Sequence, residues 1–256
     1  MYTNEQFEQL EQEEREITEA ELALMLLLLA SVADDLSKEL RDFYSKYGKY
    51  GVVTYAEARK WVSDKERKRR LTALLLFVGG AFAIALDDLQ KHFSKFLTKV
   101  IGKESTFFGV KIDADGIARI LANPWGANNL YWLQRLETDV NLWKTYIATD
   151  IKRAMLKGEN LASLLDRLDK RFESISSALE NLALTESTAV GSLSRQQIFK
   201  ELGIKKYQFY TRPDERRCET CGSMHGHIFP ISAYEVGVTA SPMHPRCRCW
   251  EVPITD

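Results

Sequence analysis

Cysteine is missing from the chain before Cys218, and the four cysteines all fall between there and Cys249. That excludes a disulfide framework spread over the fold, and synthesis in a reducing cytosol is the expectation. An excess of charge of either sign is missing too: 35 Lys and Arg stand against 36 Asp and Glu, a formal net charge of -1. Such a chain has no global field to draw it to nucleic acid or an anionic membrane, so contacts of that kind would need local patches. The acidic N-terminus lacks a basic segment ahead of a short apolar run, and no secretory signal is expected. Enzyme signatures are scarce as well. Gly79-Gly80 lies inside an apolar run with no following Lys and Ser/Thr, and no serine sits in a GxSxG elbow. No HxE accompanies the CxxC, which follows Arg217 rather than Pro. Phosphate-loop, serine-hydrolase and zinc-deaminase chemistry are disfavoured accordingly.

What is present is apolar material: 45% of 256 residues, enough to bury a core in one large or two small domains. Residues 3–21 carry eight acidic side chains against Arg15, with Phe7, Leu10 and Ile17 as the large apolar groups, and read as a solvated, fraying helical lead-in. Leu and Ala dominate 22–33, and Leu36, Leu40, Phe43 and Tyr47 keep helical spacing up to Gly48, which gives one long helix or two end to end. Thr54 and Glu57 form a capping box for the next helix. That helix carries the basic run Lys65, Arg67, Lys68, Arg69 and Arg70 into sixteen uncharged residues, 71–86, followed by Asp87-Asp88. The uncharged run falls short of the roughly 20 residues that cross a bilayer, so it reads as a bundle helix buried on every side, with a membrane span, which the flanking charges would suit, as the alternative. Its basic lead reads as a solvated face, with DNA contact as the alternative.

The helix is expected to stop at Gly102, ahead of a loop or strand pair over 103–115 and a short helix over 115–121. Leu130, Leu133, Leu136, Val140, Trp143, Ile147, Ile151 and Ala154 then recur every three or four residues on a helix of about 30, closed by Lys157-Gly158. Asn160 caps a following helix with Leu164, Leu168, Phe172, Ile175 and Leu179, and 194–202 form another. From 205 the period drops to two. Segments 205–211, 227–231 and 247–252 read as strands of a sheet too small to stand without a staple. The fold class is mainly α with a small α+β C-terminal part: a helical bundle followed by a short zinc-stapled β-sheet. The division expected is 1–122 and 123–256, with a Cys/His knot at 205–253.

The staple is in the same stretch. Cys218 and Cys221 form a CxxC, and His244, Cys247 and Cys249 follow in an HPxCxC cluster. Two residues between cysteines let both thiolates of a turn face one metal, and a CxC on extended chain points both to one side. Five candidates compete for the four places of a tetrahedral zinc, so a closed structural site is expected from Cys218, Cys221 and two of the other three. Metal-free thiols and disulfides are the alternatives. Asp214 and Arg217 flank the knuckle and could orient it by hydrogen bonds, to His244 among others. His225, His227 and His92 read as ordinary loop, strand and surface histidines, and Glu186 as a helix-surface or interhelical residue.

Several of these residues, in this order, carry a resemblance: Asn123-Pro124-Trp125-Gly126, the long helix to Lys157-Gly158, Thr185-Glu186, Asp214 to Cys221, the Gly226 turn and His244 to Cys249. Together they resemble the phage Mu F-like head-morphogenesis (minor capsid) family over roughly the C-terminal half. The chain has Ala183-Leu184 before Thr185 where the family pattern often has a basic residue, which counts against a salt bridge there. The resemblance implies a non-enzymatic structural protein of a tailed-phage virion, inside the head near the portal vertex. It implies the portal protein and the major capsid or scaffolding protein as partners, phage DNA as a further one, and no small-molecule substrate. Two alternatives stand beside it. One is a DNA-binding assembly factor using Lys65 to Arg70 with Arg212, Arg216, Arg217, Arg246 and Arg248. The other is a zinc-dependent effector delivered with the DNA.

Overall fold

The computed structural model describes residues 2–48, 65–212 and 214–255. Among them run α1 (Asn4–Tyr47), α2 (Lys65–Phe108), α3 (Ala114–Leu121), α4 (Trp132–Lys157), α5 (Leu161–Glu201), β1 (Lys206–Thr211), α6 (Glu219–Met224), β2 (Ile228–Pro230) and β3 (Cys249–Ile254). The architecture is mainly helical with a small C-terminal sheet, as the periodicity implies. The capping box at Thr54 and Glu57 lies outside the described residues.

Several boundaries depart from expectation. α2 passes through Gly102 and ends at Phe108, so no strand pair forms there. One glycine costs a helix only about 1 kcal/mol, less than the packing of its last turns contributes. Phe107 and Phe108 join Tyr2 and Phe7 in an aromatic group with centroids 4.9–6.2 Å apart. The two helices expected over 160–202 are one, because Ala183, Ser187, Ala189, Ser192 and Ser194 are all buried along α5 and leave nothing to break it. Asn160 does cap α5, accepting from the Ser163 amide at 2.9 Å. Gly158, at φ 68°, closes α4 as its left-handed cap.

The chain forms two compact units that ignore chain order. Residues 1–23, 91–135 and 180–256 make one, and 24–90 with 136–179 make the other. Position 122/123 falls inside the first.

In the first unit the acidic lead-in is solvated on one face only, with Glu5, Glu16 and Glu19 exposed. Phe7, Leu10, Glu14, Thr18 and Glu21 are all buried and recur every three or four residues, so one face of α1 packs inward along its length. Acidic residues on that face look solvated in the sequence because their partners lie far along the chain. Glu21 takes an ion pair from Lys95 at 2.7 Å and a hydrogen bond with His92 at 2.8 Å, which makes His92 a partner of α1 rather than a plain surface residue. The same unit holds the sheet, ordered β2-β1-β3 and antiparallel throughout. Tyr207, Phe209 and Thr211 alternate inward on β1, and the register places Thr211 across from Cys249 and Phe209 across from Glu251.

The second unit is built from apolar stripes. Leu29, Leu36 and Leu40 of α1, Leu74, Val78, Phe82 and Leu89 of α2, Val140, Ile147 and Ile151 of α4, and Leu164, Leu168 and Ile175 of α5 are buried at helical spacing. Each such side chain contributes about 1.5–3 kcal/mol on burial. The run 71–86 is not buried on every side, however. By length and composition α2 could cross a membrane, yet only 22% of its most apolar window is buried. Leu74, Val78, Phe82 and Ala85 turn inward, while Leu76 and Ile84 stay 70% and 69% exposed. One helix can give one face to its own unit, and here the opposite face is apolar as well.

Candidate metal centre

The two cysteine pairs are presented by different devices. Cys218 is the N-cap of the short helix α6, and its sulfur accepts the Cys221 amide at 3.3 Å, so the knuckle forms around a thiolate-ready turn. Gly226, at φ 82°, ends that excursion and donates to the Phe209 carbonyl at 2.9 Å, which returns the chain to β1. On the other side Cys249 opens β3 and Cys247 precedes it by two residues, on the same side of extended chain.

These segments converge. Cys218, Cys221 and His244 have ligand atoms within 4.8 Å of one another, and so do Cys221, Cys247 and Cys249, with Cys221 common to both groups. The Cys221 and Cys247 sulfurs are 3.8 Å apart. A tetrahedron with arms of about 2.3 Å has edges of about 3.8 Å, so the spacing suits a shared zinc-sized ion. All four cysteines are free, not disulfide-bonded. The His244 Nδ1 lies 2.8 Å from the Pro245 carbonyl and donates to it, so Nε2 is the ring nitrogen that would serve as a ligand once the ring is neutral. The cluster could therefore hold a metal. The crevice above it has room for about 30 Å³, a water or two, and is lined by Arg212, Arg216, Arg217, Arg246 and Arg248.

Hydrogen bonds from Cys221 and Cys249 hold the Cys247 thiol down to about 3, against the cost of burial. Cys221 and Cys249 are pushed up as the donors of those bonds. Burial opposes ionisation of Cys218, but the Cys221 amide and His244 outweigh it and lower its pKa.

Around the sulfurs lies a layer that the sequence showed only in part. Asp214 does not reach His244. It pairs in bidentate fashion with Arg248, at 2.5 and 2.7 Å, and so ties the knuckle segment to the residue between Cys247 and Cys249. It also accepts the Arg216 amide at 3.0 Å. The Arg217 side chain lies alongside Gly222, 3.5 Å from where a Cβ would stand. Arg246 takes a left-handed φ of 57°, uncommon for a side-chain-bearing residue, and α5 secures it. The Thr185 hydroxyl accepts its amide at 3.1 Å, Glu180 pairs with its guanidinium at 2.9 Å, and Asn181 accepts from its Nε.

Glu186 is 1% exposed and makes the salt bridge that the missing basic neighbour argued against, so of its two readings the interhelical one holds and the helix-surface one is corrected. It pairs with Arg135 at 2.8 Å and accepts the Trp125 indole at 2.9 Å, while Arg135 lies over the Trp125 ring at 4.2 Å. The basic partner comes from α4, fifty-one residues earlier, where no local pattern could reveal it. Thr185-Glu186 thus fastens the His-Pro-Arg-Cys turn with one residue and the Asn-Pro-Trp-Gly turn with the next.

A second group went unforeseen. Arg195, 3% exposed, faces three buried carboxylates, Glu14, Glu104 and Glu251. Glu251 also accepts the Tyr234 hydroxyl at 3.0 Å and the Ser241 amide at 2.6 Å. One guanidinium cannot neutralise three carboxylates. Burial, with Glu104 alongside, pushes the Glu14 carboxyl well up, and burial raises Glu104 and Glu251 despite Arg195. The one available signal was that Glu14 falls on the Phe7–Leu10 face of α1.

Of the DNA-contact candidates, Lys65, Lys68, Arg69 and Arg70 are exposed on α2, and the Arg67 side chain lies outside the described residues. Among those near the cysteines, Arg212 pairs with Glu11 at 2.9 Å, and Arg246 and Arg248 are held as above. His225 accepts the Thr211 amide at Nδ1, 3.2 Å, a strand-end role rather than a ligand's.

Compared with known proteins, residues 145–252 match the family model described as Phage Mu protein F like protein. The match takes in the end of α4, all of α5, β1 and β2, β3 as far as Val252 and all five Cys and His candidates, and begins after the Trp125 turn. No curated protein and no solved structure matches the chain.

Proposed function

We propose that this chain, phage Mu F-like over residues 145–252, is a structural minor head protein of a tailed bacteriophage. In this reading it is a virion component inside the head near the portal vertex. The portal protein and the major capsid or scaffolding protein are its partners, and it assists head assembly and DNA packaging or delivery. One observation carries the structural role: the residues of the resemblance converge on a knot that fastens chain segments together. Arg248 joins Asp214, Thr185 joins Arg246, and Glu186 joins Trp125 and Arg135.

Zinc is the metal that suits this donor set, and its role would be structural. Bound, it would supply a rigid cross-link among Cys218, Cys221, Cys247 and Cys249, with His244 against the Cys218 sulfur. A catalytic zinc keeps an open position for water and substrate, and a crevice of about 30 Å³ offers little room for either. The ligand count is read from cobalt-substituted protein, whose sulfur-to-metal charge-transfer absorption scales with the number of thiolates. Cys218→Ser should lower it and His244→Ala should not, and the reverse result would move His244 into the ligand set.

Mass spectrometry of nuclease-treated virions tests the function. The protein should be present in few copies, and Cys221→Ser should reduce the yield of filled heads. Normal heads from a phage lacking the protein would sink the reading. The DNA-binding alternative has three of its five C-terminal arginines already committed to ion pairs. It would gain ground only if affinity for duplex DNA fell steeply with salt.

A further inference from the structure

The outer face of α2 has a pattern whose spacing reads the same in both directions. Arg69, Ala73, Leu76, Gly80, Ala83 and Asp87 are all exposed and succeed one another at spacings of four, three, four, three and four. Those intervals keep one line of residues on one side of a helix. The line is apolar between a cation at one end and an anion at the other, and every pair taken from the outside inward is centred on position 78. Val78 itself is buried and turns the other way. Beside the line lies a groove of about 470 Å³ floored by Leu28, Val32 and Phe77, into which Gly80 and Ile84 also open.

We infer that this face binds a second copy of the chain, with the two α2 helices antiparallel about a dyad at residue 78. Three complementarities point to that occupant. Arg69 of each copy meets Asp87 of the other. Ala73 meets Ala83. Leu76, 70% exposed in one chain, meets Gly80 of the other, where a Cβ would find nothing within 4 Å and the groove is open. An isologous contact needs a surface complementary to itself under a two-fold rotation, and this one is matched in charge, size and spacing. An arbitrary partner helix would not require Arg69 and Asp87 to be equidistant from the centre.

The test is sedimentation equilibrium of the full chain across micromolar concentrations, with melting curves for every variant. A concentration-dependent dimer is expected. Gly80→Trp should abolish it with the melting curve unchanged, since the space it fills is empty within one chain. Arg69→Asp and Asp87→Arg should each weaken dimerisation about tenfold, because every reversal acts twice in a symmetric pair. The combined Arg69→Asp and Asp87→Arg variant should return to within a few-fold of the parent. The two positions are eighteen residues apart on one helix, about 27 Å, so rescue cannot arise within one chain. A chain that stays monomeric, or a double variant as weak as the singles, overturns the proposal. So does a chain that is monomeric in solution but binds vesicles of mixed phosphatidylcholine and phosphatidylserine, which would give the face to a lipid surface.

Discussion

The two compact units bury different materials. In the first, one face of α1 brings Glu14, Thr18 and Glu21 inside, Arg195 stands among three carboxylates, and Cys221, Cys247 and Cys249 form a small buried cluster with Phe209, Cys218 packed against it. In the second, the interior is leucine, isoleucine, valine and phenylalanine at helical spacing, and its main ionic group is more open to water. Arg167 there pairs with Glu159 at 2.7 Å and Arg171 with Asp150 at 3.0 Å, both arginines about a third exposed. An apolar interior tolerates change by degrees, because the loss scales with the area or cavity involved. A polar interior fails abruptly, because removing one partner strands another. The first unit should therefore be the brittle one.

Metal removal is the largest test of that contrast. Chelating the purified protein should cost the first unit on the order of 10 kcal/mol, the scale of a structural zinc coupled to folding. Hydrogen exchange should show β1 and β3 losing protection while residues 136–179 keep theirs. Equal loss in both units would erase the distinction. Next comes Arg195→Met, which leaves three buried carboxylates without their cation and should cost about 3–5 kcal/mol in urea unfolding. A loss below about 1 kcal/mol would show that the carboxylates already share protons well enough to stand alone.

Leu168→Ala in the second unit should cost about 3 kcal/mol by leaving a cavity. Exchange should rise around Leu168, with β1 and β3 untouched. The smallest effect sharpens the comparison most. Glu14 has a folded pKa well above its unfolded value, so it takes up a proton on folding, and stability falls as pH rises from about 4.5 toward the folded value. Glu14→Gln removes that penalty and should raise the melting temperature at pH 8 by an amount worth about 1 kcal/mol, with little change at pH 4.5. Glu21 runs the other way. Desolvation is outweighed by Lys95, His92 and Lys99, and its carboxyl is lowered to about 2. Its contribution is present above pH 4.5 and fades as pH falls toward 2, so Glu21→Gln should flatten the acid limb alone.

Much of this is legible in the sequence, and the legible part is the local part. The apolar stripes of α4 and α5, the Gly158 cap, the change of period at 205 and the two cysteine pairs rest on spacings of one to four residues, which a single element fixes. Thr185-Glu186 can be singled out by resemblance, but not what it does, because its partners sit at Trp125, Arg135 and Arg246. The lead-in misleads for the same reason. Glu11, Glu14 and Glu21 look as solvated as the other five acids until Arg212, Arg195 and Lys95 arrive from a strand end and two other helices.

By itself, then, the sequence determined the helical stripes, the three C-terminal strands and the class of metal the cysteines suit, because backbone periodicity and ligand chemistry are properties of short segments. Only the tertiary structure decided which charges lie inside, and it decided that 71–86 has one buried face and one open one. It also showed that Cys221 is the corner shared by both ligand groups. Burial and pairing depend on what the rest of the chain brings to a residue, and a desolvated charge is stable only where a distant partner meets it.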